Sequence, residues 1–554
     1  MAIVLFDVYS NSVDLFTFAT YLFSIAMCLW ILKDFGGFQK SRHKTKDIKK
    51  DISIIISLVI LQLLVLNYFS NIPSHYHWDE FIEAYTSFSL PPAKQLNWVA
   101  GYPQSGWVAR FPVLFFILQK PFLTILGPSV ESMRVSTWPY HIFILIFLYA
   151  LAKELFASRF FTFIASAVHI FFAPNLYISS LDVHFVSSTL FLLASLYYLL
   201  RLFKLRDKKS SILCGVFIAL SYLTYPASYV ALPLVLLFAI IEAKQQSWRI
   251  FRLLVPALLI CMVILLPFVA YAATHQNYFA ERASQISFLS GTRSDTLKKV
   301  EAGEHISSLL ATQLVTNIKS LYTPGIGGTD GYFFGGQAFF NPFTFVLFLA
   351  GCMLCVYHAV RGKSTALLYV LMTIIAAFVL GMVFNFPPAG FHRMSVVFPF
   401  ISLVIAIAIY TAGMFAKRVH KTLEVLVPIC LIAVFVLTNF ASALSMAPLP
   451  GNDVIKDDSL YITNYIQDNL PQGAFIQIMA PPAYHLQREL FFRTHNKYNF
   501  TTHQELKQPV DAVVILWPTT EKMKQLMEKF PEGIVIDSVS GIQLTNHTIF
   551  VPNI

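Results

Sequence analysis

The sequence predicts a polytopic α-helical membrane protein with a small α/β domain at its C-terminal end. Three observations carry that prediction. Of 554 residues, 56% are hydrophobic and only 13% charged, with a mean hydropathy of +0.62; one soluble core of this size could not hide so much apolar surface. Runs of about 18 or more apolar residues recur, each able to cross roughly 30 Å of hydrocarbon. Backbone polar groups need internal partners in lipid, so these runs are helices. The third observation is a change of pattern near residue 450, where the apolar runs become short and alternate with amphipathic stretches.

About twelve spans follow in order, near 13–32, 52–69, 135–152, 160–178, 183–203, 211–225, 227–242, 251–273, 341–360, 365–385, 394–416 and 423–444. Several contain Pro, at Pro226, Pro233, Pro256, Pro267 and Pro428. The N-terminus, MAIVLFDVYSNSVDLF, lacks a positive n-region and does not read as a cleaved signal peptide. Orientation follows from charge. The loop DFGGFQKSRHKTKDIKKD (34–51), RLFKLRDKKS, EAKQQSWRIFR, VRGKS and AKRVHK are basic and fall on alternate loops. They predict one cytoplasmic face. The net charge of +10 is therefore a topology signal, and no nucleic-acid partner is called for. The opposite, extracytoplasmic face receives the segments 70–134, 274–340 and 445–554.

Within 70–134, RFPVLFFILQKPFLTILGPS is apolar but broken by Pro112, Pro121 and Pro128. It predicts helices lying in or dipping into the interface rather than an ordinary span. In the tail, GAFIQIM, DAVVILW and GIVIDSV read as strands, and DSLYITNYIQDNL and TTEKMKQLMEKF as helices. The division is a transmembrane domain over 1–445 and an extracytoplasmic α/β domain over 446–554. NFT at Asn499 and NHT at Asn546 match the N-glycosylation acceptor pattern. The glycine-rich GIGGTDGYFFGG (325–336) lacks a strand-then-helix context and reads as an external loop. All six cysteines lie in apolar runs, and the C-x-x-C at Cys352 and Cys355 has no second pair. They read as buried small residues rather than as a metal or disulfide framework.

Chemistry concentrates where spans meet the outer face. HYHWDEFIEAY (75–85) places Asp79, Glu80 and Glu83 just beyond the second span. Asp182, in SSLDVHF, sits in a very short loop between two spans. Ionisable groups so close to hydrocarbon mark function by default. His392 and Arg393, in NFPPAGFHRMSVVFPF, cap a third loop, and Arg110 and Arg134 bracket the Pro-broken segment. Acids and bases at the ends of separate spans suit a charged, lipid-linked substrate.

These residues carry a family resemblance. Asp79-Glu80 matches the acidic pair in the first outer loop of GT-C membrane glycosyltransferases of the bacterial protein O-mannosyltransferase branch, which includes the lipid A aminoarabinose transferase. Arg110-Phe111-Pro112-Val113-Leu114 resembles the basic residue and Pro-Pro of that family, with the first Pro missing. LGPSVESMR matches the next phrase through Gly127, Glu131 and Arg134, and AKELFASRFFTFIASAVHIFFAPNLYISSLD places Asp182 on the family's outer-loop acid. The resemblance runs from about 52 to 203, and more loosely to 416.

It implies a GT-C-like fold and transfer of a sugar from a polyprenyl-phosphate donor to a hydroxyl on a protein, glycolipid or glycan. Asp79 is then the expected general base, and a single base with direct displacement implies inversion. Glu80 and Asp182 are expected to orient acceptor or sugar hydroxyls. Arg393, with Arg134, His392 and Arg110 behind it, is expected to meet the donor phosphate. Asp79, Glu80 and Asp182 are also a candidate carboxylate set for a divalent cation. The competing class is a transporter or flippase of lipid-linked sugars, which midplane charges and paired repeats would favour.

Overall fold

The computed structural model describes residues 45–71, 77–91, 111–245, 248–274, 286–289, 291, 294–326, 337–361, 365–385, 388, 390–446, 455–479, 486–502, 511–516, 520–536, 538–539, 542–543 and 547–551. The expected span at 13–32, Arg110, Asn546 and most of the glycine-rich stretch lie outside the described residues.

Helices follow the apolar runs. In chain order they are α1 (Thr45–Ser70), α2 (Trp78–Phe88), α3 (Leu114–Leu126), α4 (Val130–Val135), α5 (Trp138–Phe156), α6 (Arg159–Phe171), α7 (Ala173–Ser179), α8 (Phe185–Leu205), α9 (Lys208–Tyr222), α10 (Ala231–Gln245) and α11 (Arg249–Thr274). Next come α12 (Thr296–Glu301), α13 (Ile306–Ser320), α14 (Pro342–Val360), α15 (Thr365–Phe378), α16 (Phe398–Ala416) and α17 (Leu423–Ser445). Among the described residues, nine helical stretches are long and apolar enough to cross a membrane, and the bent pair α6–α7, turned by 60°, would make a tenth. The bend falls where Phe172 is extended and Pro174 opens α7, since proline has no N–H to continue the ladder. The expected span at 211–225 is the fifteen-residue α9; Pro226 begins a 3-10 turn, Pro226–Val230, that leads into α10. The Pro-broken segment forms α3, with Pro121 inside it. At 1.5 Å per residue its 13 residues reach about 20 Å, too short to cross.

The bundle packs closely. A Cβ on Gly351 of α14 would lie 2.0 Å from the Val404 carbonyl oxygen of α16, so these backbones touch as small residues allow in membranes. Phe172 sits against Phe339, Phe340 and Phe398 at ring-centroid distances of 5.8, 5.8 and 5.5 Å. Near the start of α1, Asp51 pairs with Lys153 (2.9 Å) and Arg159 (2.7 Å) and accepts a hydrogen bond from the Tyr149 hydroxyl. This knot ties α1 to α5 and α6. At the other end of α1 the Ser70 carbonyl accepts a hydrogen bond from Arg134. Nineteen residues of helix separate the two ends, about 28 Å, so Arg134 and Asp51 mark opposite faces of the bundle.

The C-terminal segment folds as a mixed sheet with helices. α18 (Ile455–Asn469) leads to β1 (Phe475–Met479), α19 (Leu486–Arg493), β2 (Asn499–Thr502), β3 (Ala512–Leu516), α20 (Thr520–Lys529), β4 (Ile534–Ile536), β5 (Ser538–Val539), β6 (Ile542–Gln543) and β7 (His547–Val551). The main sheet runs β2-β1-β3-β7-β4, with β5 and β6 forming a separate pair. β1 is parallel to β2 and β3, while β7 is antiparallel to β3 and β4. The three expected strands and two expected helices are present. The stretch GIVIDSV holds both β4 and β5, and α19, β2, β6 and β7 are additions: α19 is only eight residues, and NFTT carries little hydrophobic signal. Asn499 lies on edge strand β2, its side-chain amide donating to the Gly473 carbonyl.

Candidate active site

The site grows from α2, an eleven-residue helix capped at its start by His77. The His77 ring nitrogen Nδ1 accepts from the Asp79 N–H (3.1 Å), and Glu80 accepts from the His77 N–H (2.8 Å). This is a capping box with His in the usual Ser or Thr position. Asp79 and Glu80 in the first turn also suit the positive end of the helix dipole.

The three acids of α2 then separate in role. Glu80, fully buried, accepts four hydrogen bonds: Oε1 from His77 N and Arg134 Nη2 (3.2 Å), Oε2 from Arg134 Nε (3.0 Å) and Asp182 N (2.8 Å). A carboxylate has about four lone-pair sites, so all are used. Arg134 is likewise committed, gripping Glu80 in a bidentate pair and donating Nη1 to the Ser70 carbonyl. Glu80, expected to orient hydroxyls, and Arg134, expected near the donor phosphate, are thus bonded to each other and to backbone groups of Asp182, His77 and Ser70. Glu83, one turn on, holds His184 twice, through Nδ1 (2.6 Å) and the main-chain N–H (2.8 Å). So two carboxylates of α2 clasp the 182–184 backbone from one side. Asp79 is the most exposed of the three, at 6%, and lies 3.5 Å from His77 Nδ1.

Asp182 is buried behind this clasp. Its two oxygens accept from Gln119 Nε2 of α3 at 2.6 and 2.5 Å, and Gln119 also donates to Ser136 Oγ (3.0 Å). Ser87 of α2 donates to the Gln119 carbonyl oxygen. Burial, then the neighbouring Glu83 and Glu80, push the Asp182 carboxyl well above its usual range, against weaker opposition from Gln119 and Arg134. Burial likewise holds Glu83 well above its usual range, opposed by the His184 N–H and reinforced by Glu80. His184 is packed by Tyr225, Phe185 and Phe111, with ring centroids 4.6, 4.7 and 4.8 Å away.

The cationic side comes from a 3-10 segment, Phe391–Val397, in which His392 and Arg393 are both buried. It packs beside the start of α8, with the His392 ring 5.2 Å from Phe185. Arg393 lies against the π-helical turn Val379–Val383, where a Cβ on Gly381 would meet the Arg393 Cβ at 3.4 Å. The structure therefore brings Glu80, Arg134 and Asp182 together, with Asp79 next to Glu80 in α2, and sets His392 against Phe185 with Arg393 beside it in the same 3-10 segment. Among the described residues no group of three or more His, Cys, Asp or Glu is arranged to hold a metal. Glu83 was visible in the sequence but unassigned. His184 and Gln119 were not singled out; a polar Gln inside LFFILQKPF was the signal available for the second.

Residues 110–271 match the family profile described as dolichyl-phosphate-mannose-protein mannosyltransferase. ArnT from Cupriavidus metallidurans bound to undecaprenyl phosphate superposes with a TM-score of 0.57 at 13% identity, over 90% of this chain and 98% of that one. Its apo form gives 0.54 at 12%, over 90% and 97%. The chain has the GT-C fold. In this GT-C chain the profile match contains Gln119, Arg134, Asp182 and His184, while the acids of α2 and the pair His392–Arg393 lie outside it. A search of curated protein sequences gives no significant match.

Proposed function

We propose that the protein transfers a sugar from a polyprenyl-phosphate donor to a hydroxyl acceptor at the extracytoplasmic face of the membrane, with inversion at the anomeric carbon. The observation that carries this reading is the division of labour on α2. Glu80 and Glu83 are spent on Arg134, His184 and backbone N–H groups. Asp79, held at the helix start by the His77 cap and the most exposed of the three acids, is the acid of this helix placed for proton transfer.

In this mechanism the acceptor oxygen attacks the anomeric carbon and forms the new glycosidic bond as the carbon–oxygen bond to phosphate breaks. Asp79 takes the hydroxyl proton. The bonding pair leaves with the polyprenyl phosphate, whose charge Arg393 and His392 stabilise. No protonation of the leaving group is required. Glu80, Glu83, Asp182 and Arg134 position these groups without touching the reacting atoms. The lipid tail of the donor lies in the bilayer, and undecaprenyl phosphate is the first carrier to test, since the ArnT of similar fold was crystallised with it. The C-terminal α/β unit, over 446–554, belongs to the same extracytoplasmic side.

The test is a transfer assay with purified protein in lipid nanodiscs. Radiolabelled undecaprenyl- and dolichyl-phosphate sugars are offered with lipid, glycan and peptide hydroxyl acceptors, and the product anomer is read by NMR. A product of inverted configuration supports the reading. A product with retained configuration overturns the single-displacement mechanism, and donor binding without transfer in every pairing overturns the enzyme assignment.

A further inference from the structure

We propose that the C-terminal α/β unit is a clamp that positions the helix bearing Asp79, with Phe492 and Arg493 of α19 as positioning residues for sugar transfer; this rests on the assignment of Asp79 above.

An eleven-residue helix is not stable alone in water, so α2 needs packing on both flanks. One stripe, Glu80, Glu83 and Ser87, turns towards Arg134, His184 and Gln119. The other stripe, Phe81, Ala84, Tyr85 and Phe88, has the i, i+3, i+4, i+7 spacing of an apolar helix face. Leu123 of α3 and Met133 of α4 cover part of it, and the rest is covered from a distant part of the chain. Phe492 is fully buried in this cluster, its ring 6.5 Å from Phe81. Phe491 meets Tyr85 edge-on and Phe88 at a tilt, both at 5.4 Å. Two guanidinium groups complete the contact, Arg493 over Phe81 and Arg488 over Tyr85, each at 5.6 Å. Arg493 is held in place by Glu489 at 2.9 Å.

α19 is in turn fixed to the sheet. Leu486 and Leu490, one turn apart, are buried against Ile476 and Ile478 of β1 in the C-terminal core. The mechanical path is therefore short: sheet, α19, aromatic stripe, α2, Asp79. Misplacing a catalytic group by about 1 Å can lower turnover about a hundredfold. A group held at one end of a short helix is sensitive to whatever holds the helix's other face. Phe81 stands two residues from Asp79, so the Phe492–Phe81 contact acts close to the reacting group.

The experiment uses the full chain in nanodiscs with Phe492→Ala, Phe492→Leu and Arg493→Gln. It reads kcat and KM for donor, together with amide hydrogen exchange over 78–88, α5 and α8. The clamp predicts that Phe492→Ala loses kcat by tenfold or more, on the order of a fraction of 1 Å of misplacement, while donor KM is little changed. Exchange over 78–88 quickens and that of α5 and α8 does not. Phe492→Leu, which still fills the cluster, recovers most of the kcat. Unchanged kcat and unchanged exchange over 78–88 in Phe492→Ala overturn the proposal, as does a loss of kcat that Phe492→Leu does not relieve. If Phe492→Ala fails to fold, Arg493→Gln decides: faster exchange over 78–88 with lower kcat supports the clamp, and wild-type behaviour overturns it. If the unmodified protein transfers no sugar at all, that failure belongs to the glycosyltransferase reading. The exchange of 78–88 in Phe492→Ala then judges the clamp alone.

Discussion

Glu80 and Arg134 are the residues whose contacts most change the reading of the motif. They form a buried bidentate pair, 0% and 4% exposed, and removing one partner strands the other's charge. Glu80→Ala is therefore expected to destabilise the protein by about 3–5 kcal/mol, measurable as a lower denaturation midpoint in detergent, beyond what loss of a surface acid would cause. Asp182 gives a pH signature. Its folded carboxyl titrates well above the ordinary 3.8, so the folded state holds a proton that the unfolded chain releases. The stabilisation from this neutral form is present below that ordinary value and is lost as pH rises through the raised one. Asp182→Asn is expected to flatten the fall of Tm with rising pH above about 4; an unchanged slope contradicts the assignment of that proton. At this scale Asp79, Glu80 and Asp182 stand out in the sequence as acids beside hydrocarbon. What the sequence conceals is that Glu83 and His184 meet across 101 residues, and that Glu80 is consumed by structure. Adjacent acids look alike until their partners are known.

Among the elements, α2 and the α14–α16 contact carry the most risk on substitution. His77→Ala removes the side-chain cap on α2 and is expected to cost about 1 kcal/mol, seen as faster amide exchange of 78–88, with a loss of turnover because Asp79 N–H is the group released. Gly351→Leu forces a side chain into the Val404 carbonyl, so α14 and α16 must part. The expected result is a lowered Tm with the site residues untouched, and a wild-type Tm contradicts the packing. The long helices were legible because their apolar runs have only one stable form in lipid. The HYHWDEF stretch concealed its helix because the cap is a histidine, outside the usual set of Ser, Thr, Asp and Asn. The edge strand β2 and the eight-residue α19 carry too few apolar positions to stand out. The second stripe of α2 was written in the sequence as Phe81, Ala84, Tyr85 and Phe88, but not what covers it.

For the whole molecule, the fold is a helical bundle with a knot at one face, Asp51 with Lys153 and Arg159, and a polar site at the other, about 28 Å along α1. The proposed reaction, joining a lipid-borne donor to a water-borne acceptor, needs a site at a membrane boundary, and Glu80, Arg134 and Asp182, carried by separate elements, meet at this end of the bundle. The polytopic helical architecture was legible from composition and charge alternation, and the GT-C fold only through the family resemblance of the motifs; the docking of the C-terminal unit on α2 was not legible, because it depends on contacts between residues some four hundred positions apart. The central claim is that Asp79 is the base for sugar transfer. It is tested most directly by the rate of Asp79→Asn at saturating polyprenyl-phosphate sugar, alongside donor binding by the same protein. The account predicts a fall in kcat of about 10²–10⁴-fold with donor binding intact; Asp79→Asn turning over at the wild-type rate would contradict it.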